Sequence, residues 1–170
     1  MGNIVLIGMP GVGKSTLGVV LAKELGYEFV DADLIIQKRE KRLLKEIIAD
    51  EGVDGFLSIE NDVNAHINTD RTIISTGGSV IYGVEAMKHL SEIGTIVYLR
   101  LDYPTLDSRL GSLKGRGVVL KDGQTLKDLF DERVPLYERY ADVVVDESGL
   151  DLEATLTKVL EGLQSYARSK

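Results

Sequence analysis

The sequence IVLIGMPGVGKST, residues 4–16, joins an apolar run to a glycine-rich turn and the start of a helix. Residues 4–7 are continuously apolar, as expected for a parallel strand that is covered on both faces. Residues 8–15 match the pattern G-x-x-x-x-G-K-[ST] at every position. After Lys14, apolar residues recur at helical spacing until Gly26, where we expect the helix to end. The stretch therefore predicts a strand, a phosphate-binding loop and a helix, in that order.

This loop has the groups that bind a nucleoside triphosphate. Its backbone N–H groups and the N-terminus of the following helix would hold phosphate oxygens. The residues expected to contact the nucleotide are Gly11, Val12, Gly13, Lys14, Ser15 and Thr16. Lys14 would reach the β and γ phosphates, and the Ser15 hydroxyl would ligate Mg²⁺. A turn that binds nothing would leave this lysine and serine without a purpose, so we predict ATP and Mg²⁺ as cofactors.

The rest of the chain alternates between strands and helices. Further strands are predicted at residues 28–30, 73–74, 95–101 and 143–145, and helices at 34–68 (broken near Gly52), 84–93, 104–113, 125–140 and 152–167. Parallel neighbours need long crossovers, which helices provide. The pattern predicts an α/β protein with three layers, in which helices cover both faces of a five-stranded parallel sheet. We expect residues 1–170 to form a single domain.

Composition narrows the possible functions. The net charge is −7, which argues against an extended nucleic-acid surface. The chain contains no cysteine, which fits a reducing cytoplasm and excludes a thiolate nucleophile. No apolar run approaches the roughly 18 residues of a membrane span, and the first residues contain no basic region of a signal peptide. We therefore expect a cytoplasmic protein, a monomer, that binds neither nucleic acid nor a membrane.

From Asn3 to about Asp146, the chain resembles the shikimate kinase family, in the nucleoside-monophosphate-kinase-like branch of P-loop proteins. The matching pieces are the P-loop, residues 29–33 (FVDAD), residues 75–78 (STGG), Arg116 and residues 133–137 (RVPLY). The resemblance implies the strand order 2-3-1-4-5, a substrate-binding helical region at about residues 33–62, and a lid at about residues 111–123 that closes over ATP. It implies an ATP-dependent kinase whose partner is a small-molecule hydroxyl acceptor, with conversion of shikimate to shikimate 3-phosphate as the first candidate reaction.

Two acidic residues follow the second predicted strand. By resemblance, Asp31 helps to hold Mg²⁺ through water, and Asp33 binds the acceptor hydroxyl and takes its proton. Because they are two positions apart at a strand end, an extended chain would point both carboxylates into the crevice. A carboxylate near a cationic centre stays ionised and can orient a hydroxyl for attack. The alternative for both residues is a solvated turn that caps the next helix.

Further residues receive roles from the resemblance. Gly77 and Gly78 end the third strand where a side chain would obstruct the ligand, and the Gly78 N–H would meet the substrate; a plain strand-end turn is the alternative. Ser79 stands where the family usually has a third glycine, so it narrows the space or adds a hydroxyl. Arg116 of the lid would neutralise charge on the γ-phosphate, unless it is simply a solvated arginine. Arg109 would lie against adenine or form a surface ion pair.

The largest departure from the family lies at residues 56–60, which read FLSIE. Shikimate kinases typically read F-R-x-x-E here, and that arginine grips the substrate carboxylate together with the one matched by Arg133. Leu57 would remove a charge-assisted hydrogen bond worth roughly 1.5 to 3 kcal/mol. Either another cation such as Lys45 or Lys114 replaces it, or the acceptor is a different polyol, sugar acid or cyclitol.

Two further functions remain as alternatives. A non-catalytic regulatory module could keep ATP binding without phosphate transfer, but it would not need Lys14, Ser15, Asp33 and Arg116 together. A nucleoside monophosphate kinase would need a cluster of arginines for a second phosphate, which the acceptor region lacks.

Overall fold

The computed structural model describes residues 2–111, 118 and 120–170. Five parallel strands form one sheet with the order β2-β3-β1-β4-β5, as predicted. The strands are β1 Asn3–Ile7, β2 Glu28–Asp31, β3 Thr72–Ser75, β4 Gly94–Arg100 and β5 Val143–Asp146. The helices are α1 Lys14–Leu25, α2 Ala32–Glu40, α3 Leu44–Ala65, α4 Val84–Ile93, α5 Tyr103–Gly111, α6 Leu126–Tyr140 and α7 Leu152–Ser169, and a short 3₁₀ turn covers Val80–Tyr82.

The central strand β1 is buried along its whole length, because helices cover both faces of the sheet. It pairs with β3 on one side and β4 on the other. The edge strand β5 alternates buried and exposed residues instead. A second apolar cluster, formed by Ile36, Ile47, Phe56 and Val63, joins α2 to α3 away from the sheet. This cluster holds the predicted substrate-binding region as a compact unit at the carboxyl edge of β2 and β3.

The phosphate-binding loop depends on glycine backbone geometry. Gly13 precedes α1 with a φ of 90°, and Gly26 ends the same helix with a φ of 65°. Both values lie in the left-handed region that glycine adopts without a Cβ penalty. The helix therefore begins and ends where the sequence predicted.

The region predicted as a broken helix, residues 34–68, contains two helices. Gly52 has a φ of 73° and a ψ of 180°, so it interrupts α3 at the predicted position. A second break, at Lys41 with a φ of 55°, separates α2 from α3 and was not predicted. The extended geometry expected for residues 31–33 was also wrong in part, because α2 already begins at Ala32.

Most of the predicted lid lies outside the described residues, and so do Lys114 and Arg116. After it, the chain enters α6 through a capping box. The Thr125 hydroxyl accepts a hydrogen bond from the Asp128 N–H at 3.1 Å, and the Asp128 carboxylate accepts one from the Thr125 N–H at 3.0 Å. Among the described residues, no helix is both long and apolar enough to cross a membrane.

Candidate active site

Lys14 is almost completely buried at the start of α1, with 7% of its surface exposed. Its ammonium donates hydrogen bonds to the carbonyl oxygens of Gly8 at 2.8 Å and Met9 at 2.9 Å. Burial lowers the pKa of Lys14 to about 8, and the nearby Asp33 carboxylate opposes this change. The loop thus carries a preformed cation, held by backbone carbonyls at the carboxyl edge of the sheet.

Three side-chain oxygens meet beside the loop. The Ser15 hydroxyl donates to Asp31 Oδ2 at 2.9 Å and lies 3.1 Å from the Ser75 hydroxyl. Asp31 is the last residue of β2, and its other oxygen accepts the Asp33 N–H at 2.9 Å. Hydroxyl and carboxylate oxygens are ligands that suit Mg²⁺, which takes few protein ligands and keeps several waters. The residues present therefore fit a magnesium ion held by Ser15 and Asp31.

Asp33 lies in the first turn of α2 rather than on extended chain, because the Asp31 carboxylate caps this helix. The two carboxylates consequently contact different partners: Asp31 contacts Ser15, and Asp33 lines a separate cavity, named here the Asp33 cavity. Burial raises the pKa of Asp33 to about 6, the Asp31 charge adds to this rise, and Lys14 opposes it. Asp33 thus titrates near neutrality beside a cation.

Gly77 and Gly78 form the floor of the Asp33 cavity. A Cβ on Gly77 would lie 2.5 Å from Glu60 Oε2 and 2.9 Å from Asp33 Oδ1. A Cβ on Gly78 would lie 2.6 Å from Pro10 Cδ. A side chain at Gly78 would collide with the Pro10 ring, and one at Gly77 would displace the carboxylates of Glu60 and Asp33. That these glycines also leave space for a ligand stays a prediction.

Glu60 is a residue of this cavity to which sequence reasoning gave no role. It is 1% exposed on α3, and burial raises its pKa to about 7 against the opposing hydrogen bond from Ser79. The Ser79 hydroxyl, itself buried, donates to Glu60 Oε1 at 2.5 Å. Glu60 Oε2 makes no hydrogen bond and faces the space beside Gly77, which Asp33 also faces. The sequence predicted that Ser79 either narrows the space or adds a hydroxyl, and the structure shows this hydroxyl bound to Glu60.

Arg133 contributes a buried guanidinium to the same cavity. It is 1% exposed on α6, and its guanidinium lies 5.4 Å from the centroid of the Tyr82 ring. The Tyr137 hydroxyl, one turn further along α6, donates to the Gly78 carbonyl and ties this helix to the cavity floor. A buried cation and the Asp33 carboxylate are thus fixed in the wall of one cavity.

Leu57 does not line the Asp33 cavity. It lines a neighbouring one, named here the Leu57 cavity, together with Tyr82, Lys121 and Arg133. Arg133 lines both cavities, so they meet at its side chain. Lys45, a cation proposed to replace an arginine at position 57, is exposed on α3 and is absent from the described lining of either cavity.

Arg109 borders a third cavity on the other side of the loop. This cavity is also lined by Val12, Gly13 and Thr16, at the start of α1. The Arg109 guanidinium forms an ion pair with Glu147 at 3.3 Å and donates to the Gly11 carbonyl at 3.3 Å. An ion pair was the alternative to adenine contact for Arg109, and this ion pair is present. The guanidinium nevertheless lies in the wall of a cavity next to the phosphate loop.

Comparison with known proteins identifies relatives over the whole chain. A family model described as shikimate kinase matches residues 10–164. A shikimate kinase of Thermodesulfovibrio yellowstonii is 35% identical, covering 100% of this chain and 99% of that protein. A shikimate kinase of Moorella thermoacetica is 33% identical, covering 99% and 98%. The solved structure of shikimate kinase from Acinetobacter baumannii in complex with shikimate is 29% identical, with a TM-score of 0.88 over 97% of this chain and 94% of that one.

Proposed function

This chain belongs to the shikimate kinase family, and from that membership we propose that it transfers the γ-phosphate of ATP to the 3-hydroxyl of shikimate. One structural observation carries the proposal. The buried Arg133 guanidinium and the Asp33 carboxylate line one cavity, and the charge of the P-loop lysine acts on Asp33. A hydroxy acid presents the complementary pair of groups, a carboxylate and a hydroxyl.

The nucleotide is held by the P-loop. Backbone N–H groups of Gly11 to Thr16 and the N-terminus of α1 bind the phosphates. Lys14 exchanges its two carbonyl partners for β and γ oxygens, which a lysine ammonium binds more strongly because they carry charge. Ser15 and Asp31 would hold Mg²⁺, which would supply positive charge beside the phosphates.

Asp33 orients the acceptor. Its carboxylate accepts a hydrogen bond from the 3-hydroxyl and places the oxygen in line with the γ-phosphorus. A bond forms between that oxygen and the γ-phosphorus while the bond to the bridging oxygen of ADP breaks. The hydroxyl proton passes to Asp33, a buried carboxylate whose pKa is raised by burial, and leaves from there to solvent. The products are shikimate 3-phosphate, ADP and one proton.

Arg133 binds the acceptor carboxylate through a charge-assisted hydrogen bond, and the Gly78 N–H contacts the substrate beside it. Full-length relatives named shikimate kinase favour shikimate over the other polyols, sugar acids and cyclitols that Leu57 left open. They also favour a kinase over a non-catalytic nucleotide-binding module.

Two arginines complete the proposal on the nucleotide side. Arg109 borders the cavity at the start of α1, where the adenine ring fits next to the phosphates. Arg116, outside the described residues, supplies the lid charge that stabilises the transferring phosphoryl group. Residues 33–62 form the acceptor-binding region, residues 111–123 form the lid, and residues 1–170 act as one domain.

A coupled assay of ADP release tests this function. The protein is given ATP, Mg²⁺ and one acceptor at a time, chosen from shikimate, quinate, gluconate, myo-inositol and AMP. We expect shikimate to give a kcat/KM at least about 100-fold above every other acceptor, since the unmatched analogues leave buried polar groups unpaired. Equal turnover of several polyols, or none with shikimate, would refute the assignment.

A further inference from the structure

We propose that Lys121 supplies a second positive charge for the carboxylate of the acceptor, next to Arg133. The inference rests on the proposed function, because it concerns how an acidic acceptor is held. Arg133 lies where the Asp33 cavity and the Leu57 cavity meet, so a carboxylate bound by Arg133 sits at their border. Among the described residues that line the two cavities, Lys121 is the other basic side chain.

A chain of hydrogen bonds runs from the backbone of Lys121 to Glu132, the residue before Arg133. The Lys121 N–H donates to Gln124 Oε1 at 3.2 Å. In return, the Gln124 N–H donates to the Lys121 carbonyl oxygen at 3.0 Å, which closes a turn. Gln124 Nε2 donates to Glu132 Oε2 at 3.1 Å, and Glu132 Oε1 accepts the Tyr82 hydroxyl at 2.5 Å. Glu132 directly precedes Arg133 on α6. The backbone of Lys121 is thereby tied to the helix that carries the arginine.

The carboxylates that line the Leu57 cavity do not take up the charge of Lys121 through any hydrogen bond described for that cavity. Two carboxylates line it, and Glu132 already accepts hydrogen bonds on both oxygens. The other, Asp54, is exposed on α3. Leu57 and Val53 make the adjoining wall apolar, which suits the methylene stem of a lysine but offers no partner to an anion. An acceptor carboxylate at Arg133 therefore finds its second cation in Lys121.

The expected contribution is moderate because Lys121 is exposed. An exposed ion pair changes affinity by up to about fivefold, less than a fully buried one. Lys121→Met, which keeps the stem and removes the charge, should raise the KM for shikimate about three- to fivefold. The kcat and the KM for ATP should change less than the KM for shikimate, since Lys121 lines the Leu57 cavity and not the cavity at the start of α1.

Lys127→Met is the matched control. Lys127 is also an exposed lysine in this part of the chain, but its ammonium pairs with Asp131 and lies over the Tyr103 and Phe130 rings, and it lines neither cavity. Its loss should leave the KM for shikimate unchanged. The shikimate analogue with a carboxamide in place of the carboxylate is the second control, because a neutral amide gains nothing from the ammonium. Its KM, or its Ki as an inhibitor, should be the same for wild type and Lys121→Met.

A rescue experiment adds a test that a purely structural role would not pass. Leu57→Arg adds a guanidinium to the lining of the same cavity, so it should lower the KM of Lys121→Met back to near the wild-type value and lower the KM of wild type by a smaller factor. An unchanged KM in Lys121→Met, an equal rise with the carboxamide, or an equal effect of Leu57→Arg in both backgrounds would overturn the inference with the proposed function intact. Absence of wild-type turnover on shikimate would overturn both.

Discussion

Glu60→Gln is expected to stabilise the ligand-free protein at alkaline pH and to leave its stability unchanged at acidic pH. Burial raises the pKa of Glu60 from 4.5 to about 7, so the folded state binds this proton more tightly than the unfolded chain does. Wild-type stability therefore falls as the pH rises from about 4.5 through 7. At about 1.4 kcal/mol per pKa unit, the loss amounts to about 3 kcal/mol above pH 7. Glutamine is isosteric with the protonated acid, keeps the acceptor for Ser79, and escapes this loss.

Urea unfolding followed by far-UV circular dichroism at pH 4 and pH 8 measures the effect. The free energies of unfolding of wild type and Glu60→Gln should agree at pH 4 and differ by about 2 to 3 kcal/mol at pH 8, with the variant more stable. Glu24→Gln, at an exposed position on α1, controls for the loss of one negative charge and should show no such dependence on pH. A difference that is independent of pH, or a variant that is less stable at pH 8, would refute the electrostatic account of this cavity.

Three further predictions concern catalysis. Asp33→Asn should lower kcat by at least about 1,000-fold while isothermal titration still detects ATP binding, because the amide cannot take the hydroxyl proton; normal turnover would remove Asp33 from the mechanism. Lys14→Ala should lower kcat and also weaken ATP binding about 10-fold or more in the same titration, and unchanged affinity would contradict its phosphate contact. Gly78→Ala should raise the KM for shikimate about tenfold with little change in the KM for ATP. The new alanine Cβ would lie 2.6 Å from Pro10 Cδ and 3.0 Å from Arg133 Nη1, beside the proposed acceptor site. Equal rises in both KM values would point to general misfolding instead.

The sequence predicted the sheet and the phosphate loop because their signals are local. A continuous apolar strand, the spacing of glycine, lysine and serine, and the helix end at Gly26 all lie within one stretch of chain. The strand order came from family resemblance, and the structure confirms it. The extended geometry assumed for Asp33 was wrong because the Asp31 carboxylate caps α2, and capping of the next helix was the alternative that the sequence left open for this residue.

The burial of Glu60 could have been predicted from its spacing to the apolar residues of α3. Phe56, Glu60 and Val63 are four and three positions apart, so they lie on one face of α3, and the outer two are apolar and buried. A glutamate in the middle of such an apolar face is expected to be buried, and a buried carboxyl group indicates a structural or functional role. Its hydrogen bond to Ser79, by contrast, joins two elements 19 residues apart and has no local signal.

The position of Leu57 shows the limit of matching motifs. The family resemblance matched Leu57 to an arginine of the substrate site, and the structure places Leu57 in the lining of an adjoining cavity that Arg133 and Lys121 also line. The hydrogen bonds that bring Lys121 there connect residues 8 and 50 positions apart through Gln124, Glu132 and Tyr82. Such contacts depend on the packing of α6 against the 3₁₀ turn, which no pattern in the sequence specifies.

Identification of the product is the most direct test of the proposed reaction. Wild-type protein is incubated with ATP, Mg²⁺ and shikimate, and the product is examined by proton-detected phosphorus NMR. We predict a phosphate monoester whose phosphorus couples to the proton on carbon 3 of the shikimate ring, formed in equal amount to ADP and absent with Asp33→Asn. Phosphate on another hydroxyl, or ADP formed together with inorganic phosphate and unmodified shikimate, would contradict the account.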